Sequence, residues 1–130
     1  MLDYLYLEEK KNLLVLARYN KDLKEVYKIE NKGLNINYLT IHRSKGLECD
    51  NVIVLKMEDK YLGFPSKIRN NNVLSLIDKN KEEIDYAEER RLFYVALTRC
   101  REKVYLLVPR KNPSKFIEEI KSKCVELLLK

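Results

Sequence analysis

No phosphate-cradling glycine loop occurs in this 130-residue chain, since its three glycines form neither GxxxxGKS/T nor GxGxxG. By itself the chain therefore cannot hold a triphosphate in the P-loop manner. Cysteine is equally sparse. Cys49, Cys100 and Cys124 are an odd, widely spaced set, which argues against a disulfide framework. The absence of CxxC or of any Cys/His cluster leaves no zinc signal, and no metal site is expected. Reduced thiols in a cytosolic protein are the simplest reading. His42 stands alone, without the Cys or Asp pattern of nucleophilic catalysis. No apolar run approaches a membrane span. The opening MLDYLYLEEKK lacks the apolar core of a signal peptide. These absences predict a soluble, cytoplasmic protein with no membrane partner.

What is present suits a single domain over residues 1–130, with 45% hydrophobic residues to build a core. Charged residues make up 35% and the formal net charge is +6, a balance compatible with a nucleic acid partner. The excess is spread along the chain, so charge alone decides little.

Patterning predicts alternating strands and helices. NLLVLAR at 12–18 reads as a strand, followed by a helix from an Asn20 N-cap to about residue 30, closed by Gly33. NYLTIH at 37–42 and NVIVLKM at 51–57 read as further strands, the latter buried on both faces because it barely alternates. Residues 58–81 are irregular, with Gly63, Pro65 and three consecutive asparagines. A helix is expected over 82–98, its acidic first turns suiting the positive helix end, its LFYVAL half deeply buried. KVYLLV at 103–108 is a fourth strand, and Pro113 at N1 opens a last helix. Such alternation implies an α/β fold, a three-layer mainly parallel sheet covered on both faces. Ligands are then expected at the carboxyl ends of the strands, in the loops after Arg18, His42, Met57 and Val108.

Arginine usage singles out one segment. The chain has 8 arginines, and four of them, Arg90, Arg91, Arg99 and Arg101, fall between Glu88 and Arg101. A lysine-preferring chain that uses arginine there suggests a need for the planar guanidinium fork, which grips phosphate or carboxylate bidentately. Arg90 and Arg91 are expected to pair with Glu88 or a neighbouring helix. Arg99, at the end of a buried helix, is expected to be functional.

Two segments, TIHRSKGLECDNVIVL at 40–55 and EERRLFYVALTRCR at 88–101, resemble motifs V and VI of UvrD/Rep-type superfamily 1 DNA helicases. VLARYN at 15–20 resembles motif IV, and MEDKYLGFPSK at 57–67 is similar to the Met-Glu and Phe-Pro stretch between motifs V and VI. The resemblance covers about residues 12–108 and implies a RecA-like C-terminal motor domain (2A) of an ATP-dependent, 3′–5′ translocating helicase. It implies that Arg99 and Arg18 reach the γ-phosphate of ATP, as catalytic and ATP-binding residues. Gly46, which admits close backbone approach, and Glu48, as a ribose acceptor, complete the ATP set. Thr40, His42 and Ser44 are implied to meet single-stranded DNA or link it to the ATP cleft. The position before Arg18, often an adenine-stacking tyrosine, is Ala17 here. Tyr19 follows, with its side chain expected on the opposite side of the strand. Cys49 and Cys100 read as packing residues.

Only about 20 residues separate Asn20 from Thr40, so the large 2B accessory insertion of relatives is missing. The cofactor implied is ATP with Mg²⁺, the ion held by an N-terminal RecA-like domain that carries the Walker motifs. That domain and single-stranded DNA are the expected partners. The competing reading is a stand-alone nucleic-acid-binding or interaction module without motor activity.

Overall fold

The structure is a computed structural model and describes residues 12–28, 33–67 and 86–120. Four parallel strands form one sheet: β1 (Asn12–Ala17), β2 (Asn35–Thr40), β3 (Cys49–Val54) and β4 (Cys100–Leu106). Their spatial order is β2-β1-β3-β4. Helices α1 (Asn20–Val26), α2 (Ala87–Thr98) and α3 (Lys115–Ile120) connect or follow them, and a single 3₁₀ turn, His42–Ser44, lies between β2 and β3.

Strand alternation divides the core into two layers. Leu14 and Leu16 of β1 with Val52 and Val54 of β3 face a cluster that includes Phe64, Leu92, Phe93, Ala96 and Phe116. Leu13, Val15 and Ala17 with Ile53 and Leu55 face the opposite side, where Leu23 of α1 packs. The expected covering of both sheet faces therefore holds, and β3 is buried throughout from Asn51 to Val54. Phe64, Phe93 and Phe116 form the densest contact, with two edge-to-face pairs and one stacked pair at 5.1 Å between centroids.

Several expected boundaries moved, each for a physical reason. Asn20 is the first helical residue of α1. The cap position belongs to Tyr19, still extended at φ −129° and ψ 149° and without a side-chain cap bond. Tyr19 is held there by a hydrogen bond between its hydroxyl and that of Ser66, so a tertiary contact overrides local capping preference. Pro113 does not open the last helix. Asn112 adopts a left-handed conformation at φ 55°, Pro113 bridges to Glu58, and the Ser114 hydroxyl accepts the Phe116 amide at 3.2 Å as the true cap. Nor is the second half of α2 buried all round. Leu92, Phe93 and Ala96 are buried, whereas Tyr94 is 69% exposed. The expected closure of α1 near residue 30, the asparagine run, the first turn of the 82–98 helix and Cys124 lie outside the described residues. No helix among the described residues is long and apolar enough to cross a membrane.

Candidate functional site

The sheet has two edges of different character, and α2 joins them. At the carboxyl edge, Ala17 pairs with Thr40. At the amino edge, Cys49 pairs with Cys100. A parallel sheet forces the chain to return from one edge to the other between strands. Residues 41–48 make that return between β2 and β3. Ile41 donates its amide to Ala17 at the carboxyl edge, and Cys49 donates to the Arg99 carbonyl at the amino edge. Helix α2 makes the same return before β4.

Arg99 caps the carboxyl end of α2. Its Nε donates to the Val95 carbonyl at 3.1 Å, Nη1 to the Leu47 carbonyl at 3.3 Å and Nη2 to Thr98 Oγ1 at 3.2 Å. A guanidinium has five N–H groups, so this cradle fixes the fork while leaving an N–H on each terminal nitrogen for a ligand. Gly46 lies just ahead of Leu47 with φ +85°, and an added Cβ would meet nothing within 4 Å among the described residues. The backbone there is an open ledge in a conformation that favours glycine. Glu48 is exposed and accepts from Arg101 Nε at 3.4 Å. Both side chains of that pair are about 60% exposed. A contact this open is worth about 0–1 kcal/mol, so Glu48 is readily released to another donor. Glu48, Asp50 and Arg101 line a shallow polar hollow of about 290 Å³ with Asn12 and Asn35. Beneath this edge, burial pushes the Cys100 thiol above its ordinary range, and Cys49 and Cys100 pack partly buried against the core.

The structure brings Arg99, Gly46 and Glu48 together at the amino edge, whereas strand topology alone had pointed to the carboxyl edge. It does not bring Arg18 to them. Arg18 ends β1 at the carboxyl edge, where its Nε and Nη2 donate to the Glu89 carboxylate at 2.9 to 3.1 Å. Glu89 sits in the first turn of α2, ten residues before Arg99, which is roughly 15 Å along a helix axis. Two arginines on one phosphate is therefore not the arrangement seen, because the length of α2 holds them apart. The pair is only 18% and 13% exposed, and Glu89 also accepts the Ser66 amide at 2.9 Å. The Arg18 guanidinium lies 4.8 Å from the Tyr19 ring centroid. Tyr19 and Arg18 are thus neighbours, because strand alternation ends at Ala17.

Thr40 ends β2 buried, His42 is exposed on the 3₁₀ turn, and Ser44 is fully buried. The Ser44 hydroxyl donates to the Ile41 carbonyl at 2.6 Å, so as placed it holds the turn and offers nothing outward. Arg90 pairs with Glu119 of α3 at 2.7 Å, as the expectation of a neighbouring helix required, and this contact lowers the Glu119 pKa.

Sequence reasoning missed Glu89 and Ser66. Glu89 reads as an ordinary first-turn acid, and nothing local marks a partner 71 positions away. Among the described residues no group of three or more His, Cys, Asp or Glu is placed to hold a metal ion.

Residues 5–111 match the UvrD-like helicase C-terminal domain. The chain belongs to that family. It is 37% identical over 121 residues to DNA helicase IV of Escherichia coli, covering 90% of this chain and 18% of that protein. It is 34% identical over 101 residues to DNA helicase II of the same organism, covering 70% of this chain and 12% of that protein. It is 33% identical over 114 residues to one component of an ATP-dependent helicase/nuclease of Geobacillus kaustophilus, covering 70% and 9%. The chain thus spans less than a fifth of the length of these curated relatives. The expected α/β helicase C-terminal domain is what the family match and the parallel sheet establish.

Proposed function

We propose that this domain is one half of an ATP-driven DNA motor, with a nucleotide face at the amino edge of its sheet and a single-stranded DNA track at the carboxyl edge. The observation that carries the reading is the placement of Arg99. Its fork is fixed by three acceptors beside the open Gly46 ledge and the weakly held Glu48. A guanidinium aimed outward from such a cradle suits charge that develops on a transferring phosphoryl group. Glu48 suits a ribose hydroxyl, for which a carboxylate is an acceptor. The phosphate loop and the Mg²⁺ ligands are assigned to an N-terminal RecA-like partner domain, so the chain alone does not turn over ATP.

Arg18 is assigned a different part from Arg99. It ties the end of β1 to the start of α2 through Glu89, and so joins the DNA track to the helix that carries Arg99. Thr40 and His42 lie on the track, while Ser44 shapes the turn that presents them.

DNA binding by the isolated chain tests this reading. Two or three phosphate contacts on a single strand give a slope of about −0.7 each in log affinity against log salt, or roughly a tenfold loss between 50 and 200 mM. Fluorescence anisotropy with a labelled oligonucleotide measures this directly. An affinity flat across that range contradicts an electrostatic track.

A further inference from the structure

The segment 58–67, between β3 and α2, is more firmly built than its sequence suggests. Its Asp59 amide donates to the Asn112 carbonyl, Gly63 to Lys60, Phe64 to Glu58 and Lys67 to Tyr61. Gly63 leaves no room for a side chain, since a Cβ would run into the Glu58 carbonyl. Ion pairs Lys60–Glu58 and Lys67–Asp59 close the turn at 3.2 and 2.7 Å. Phe64 anchors it in the aromatic core, and Ser66 ties it to Tyr19 and Glu89. At the tip of this frame stands Tyr61, 66% exposed, with Leu62 beside it at 38%.

A locked backbone that holds an aromatic ring in solvent is a poor use of a tyrosine unless the ring meets something. Its neighbours suggest what. The sheet order places the β2 and β4 connections on either side of the β1 and β3 loop ends. The start of the return after β2, residues 41–43, carries Arg43 with no acid, and residues 107–115 carry Arg110, Lys111 and Lys115 with no acid. The 58–67 turn neutralises its own charges internally. The carboxyl edge is therefore an uncharged aromatic tip between two cationic loops.

We propose that Tyr61 is a base-stacking platform on the single-stranded DNA track, with flanking phosphates held by the cationic loops. Every base has a π-face, so such a ring binds without sequence preference. Its rigid mounting limits the entropy lost on binding. The inference rests on the DNA-track reading of the carboxyl edge.

The test uses the full chain and three proteins: wild type, Tyr61→Phe and Tyr61→Ala. Each is titrated with a labelled oligothymidylate and with an abasic oligonucleotide of the same length. Tyr61→Ala is expected to weaken oligothymidylate binding about 5- to 100-fold, and Tyr61→Phe less than about twofold. On the abasic strand wild type and Tyr61→Ala should bind alike, and the salt slope should not change, since the ring carries no charge. Melting temperatures should be unaltered because the ring is exposed. Equal oligothymidylate affinities for wild type and Tyr61→Ala overturn the stacking role and leave the DNA track standing. An equal loss on both oligonucleotides also overturns it. Wild type that binds neither strand removes the track and the ring's role together.

Discussion

Arg99→Ala in the intact parent enzyme should cut kcat for ATP hydrolysis by about 10³-fold or more, the scale seen when an arginine is withdrawn from a phosphoryl-transfer site. The reason is geometric. The side chain leaves the end of α2 already oriented by the Val95 and Leu47 carbonyls, so little reorganisation is needed when charge develops on the γ-phosphoryl oxygens. An interaction of that kind acts on the transition state more than on bound ATP. Nucleotide affinity should therefore fall far less than turnover. Lysine should rescue poorly, since a point charge lacks the planar fork. Some stability should be lost as well, because one part-buried and two exposed hydrogen bonds go with the side chain and each is worth about 1 kcal/mol, so turnover is compared per folded molecule. A variant that melted many degrees lower but turned over normally per folded molecule would remove Arg99 from the catalytic assignment. Pre-steady-state turnover with a parallel melting curve separates the two outcomes.

Phe64→Ala should produce the largest loss of stability, about 3–5 kcal/mol. Phe64 has no exposed surface. It contacts Phe93 and Phe116 edge-to-face at 5.8 and 5.7 Å, so its removal opens a cavity between α2, α3 and the 58–67 turn that rigid neighbours cannot fill. Aromatic pairing adds about 0.5–1.5 kcal/mol to area burial. Against a total stability of about 5–15 kcal/mol, such a loss should lower Tm by more than about 10 °C. Phe64→Leu, which keeps most of the volume, should cost much less. Chemical denaturation with an unchanged m-value checks both, and a Phe64→Ala loss below about 1 kcal/mol would contradict the packing described.

The parts of this fold that periodicity governs were legible in the sequence. β3 reads as an unbroken apolar run because both its faces are covered, and the parallel order follows from alternating elements. What distant residues decide was not legible. The start of α1 depends on Tyr19 reaching Ser66. The fate of Arg18 depends on Glu89, a residue whose local setting fits a helix dipole equally well. The edge at which Arg99 lies follows from α2 running back against the strands, which a motif read along one dimension does not express. Gly46 was the clearest single signal, because its positive φ gives glycine a reason.

The sharpest test of these assignments is ATP turnover by the parent enzyme at saturating DNA, measured side by side for Arg99→Ala and Arg18→Ala and expressed per folded molecule. The two arginines lie at opposite ends of α2, one held at its carboxyl end beside Leu47 and one bound to Glu89 in its first turn. Arg99→Ala should therefore lose about 10³-fold or more in kcat. Arg18→Ala should keep kcat within about tenfold and show its loss as lowered stability, the Glu89 carboxylate being left without its fork. Equal, severe losses of kcat at unchanged stability in both variants would contradict this division of roles.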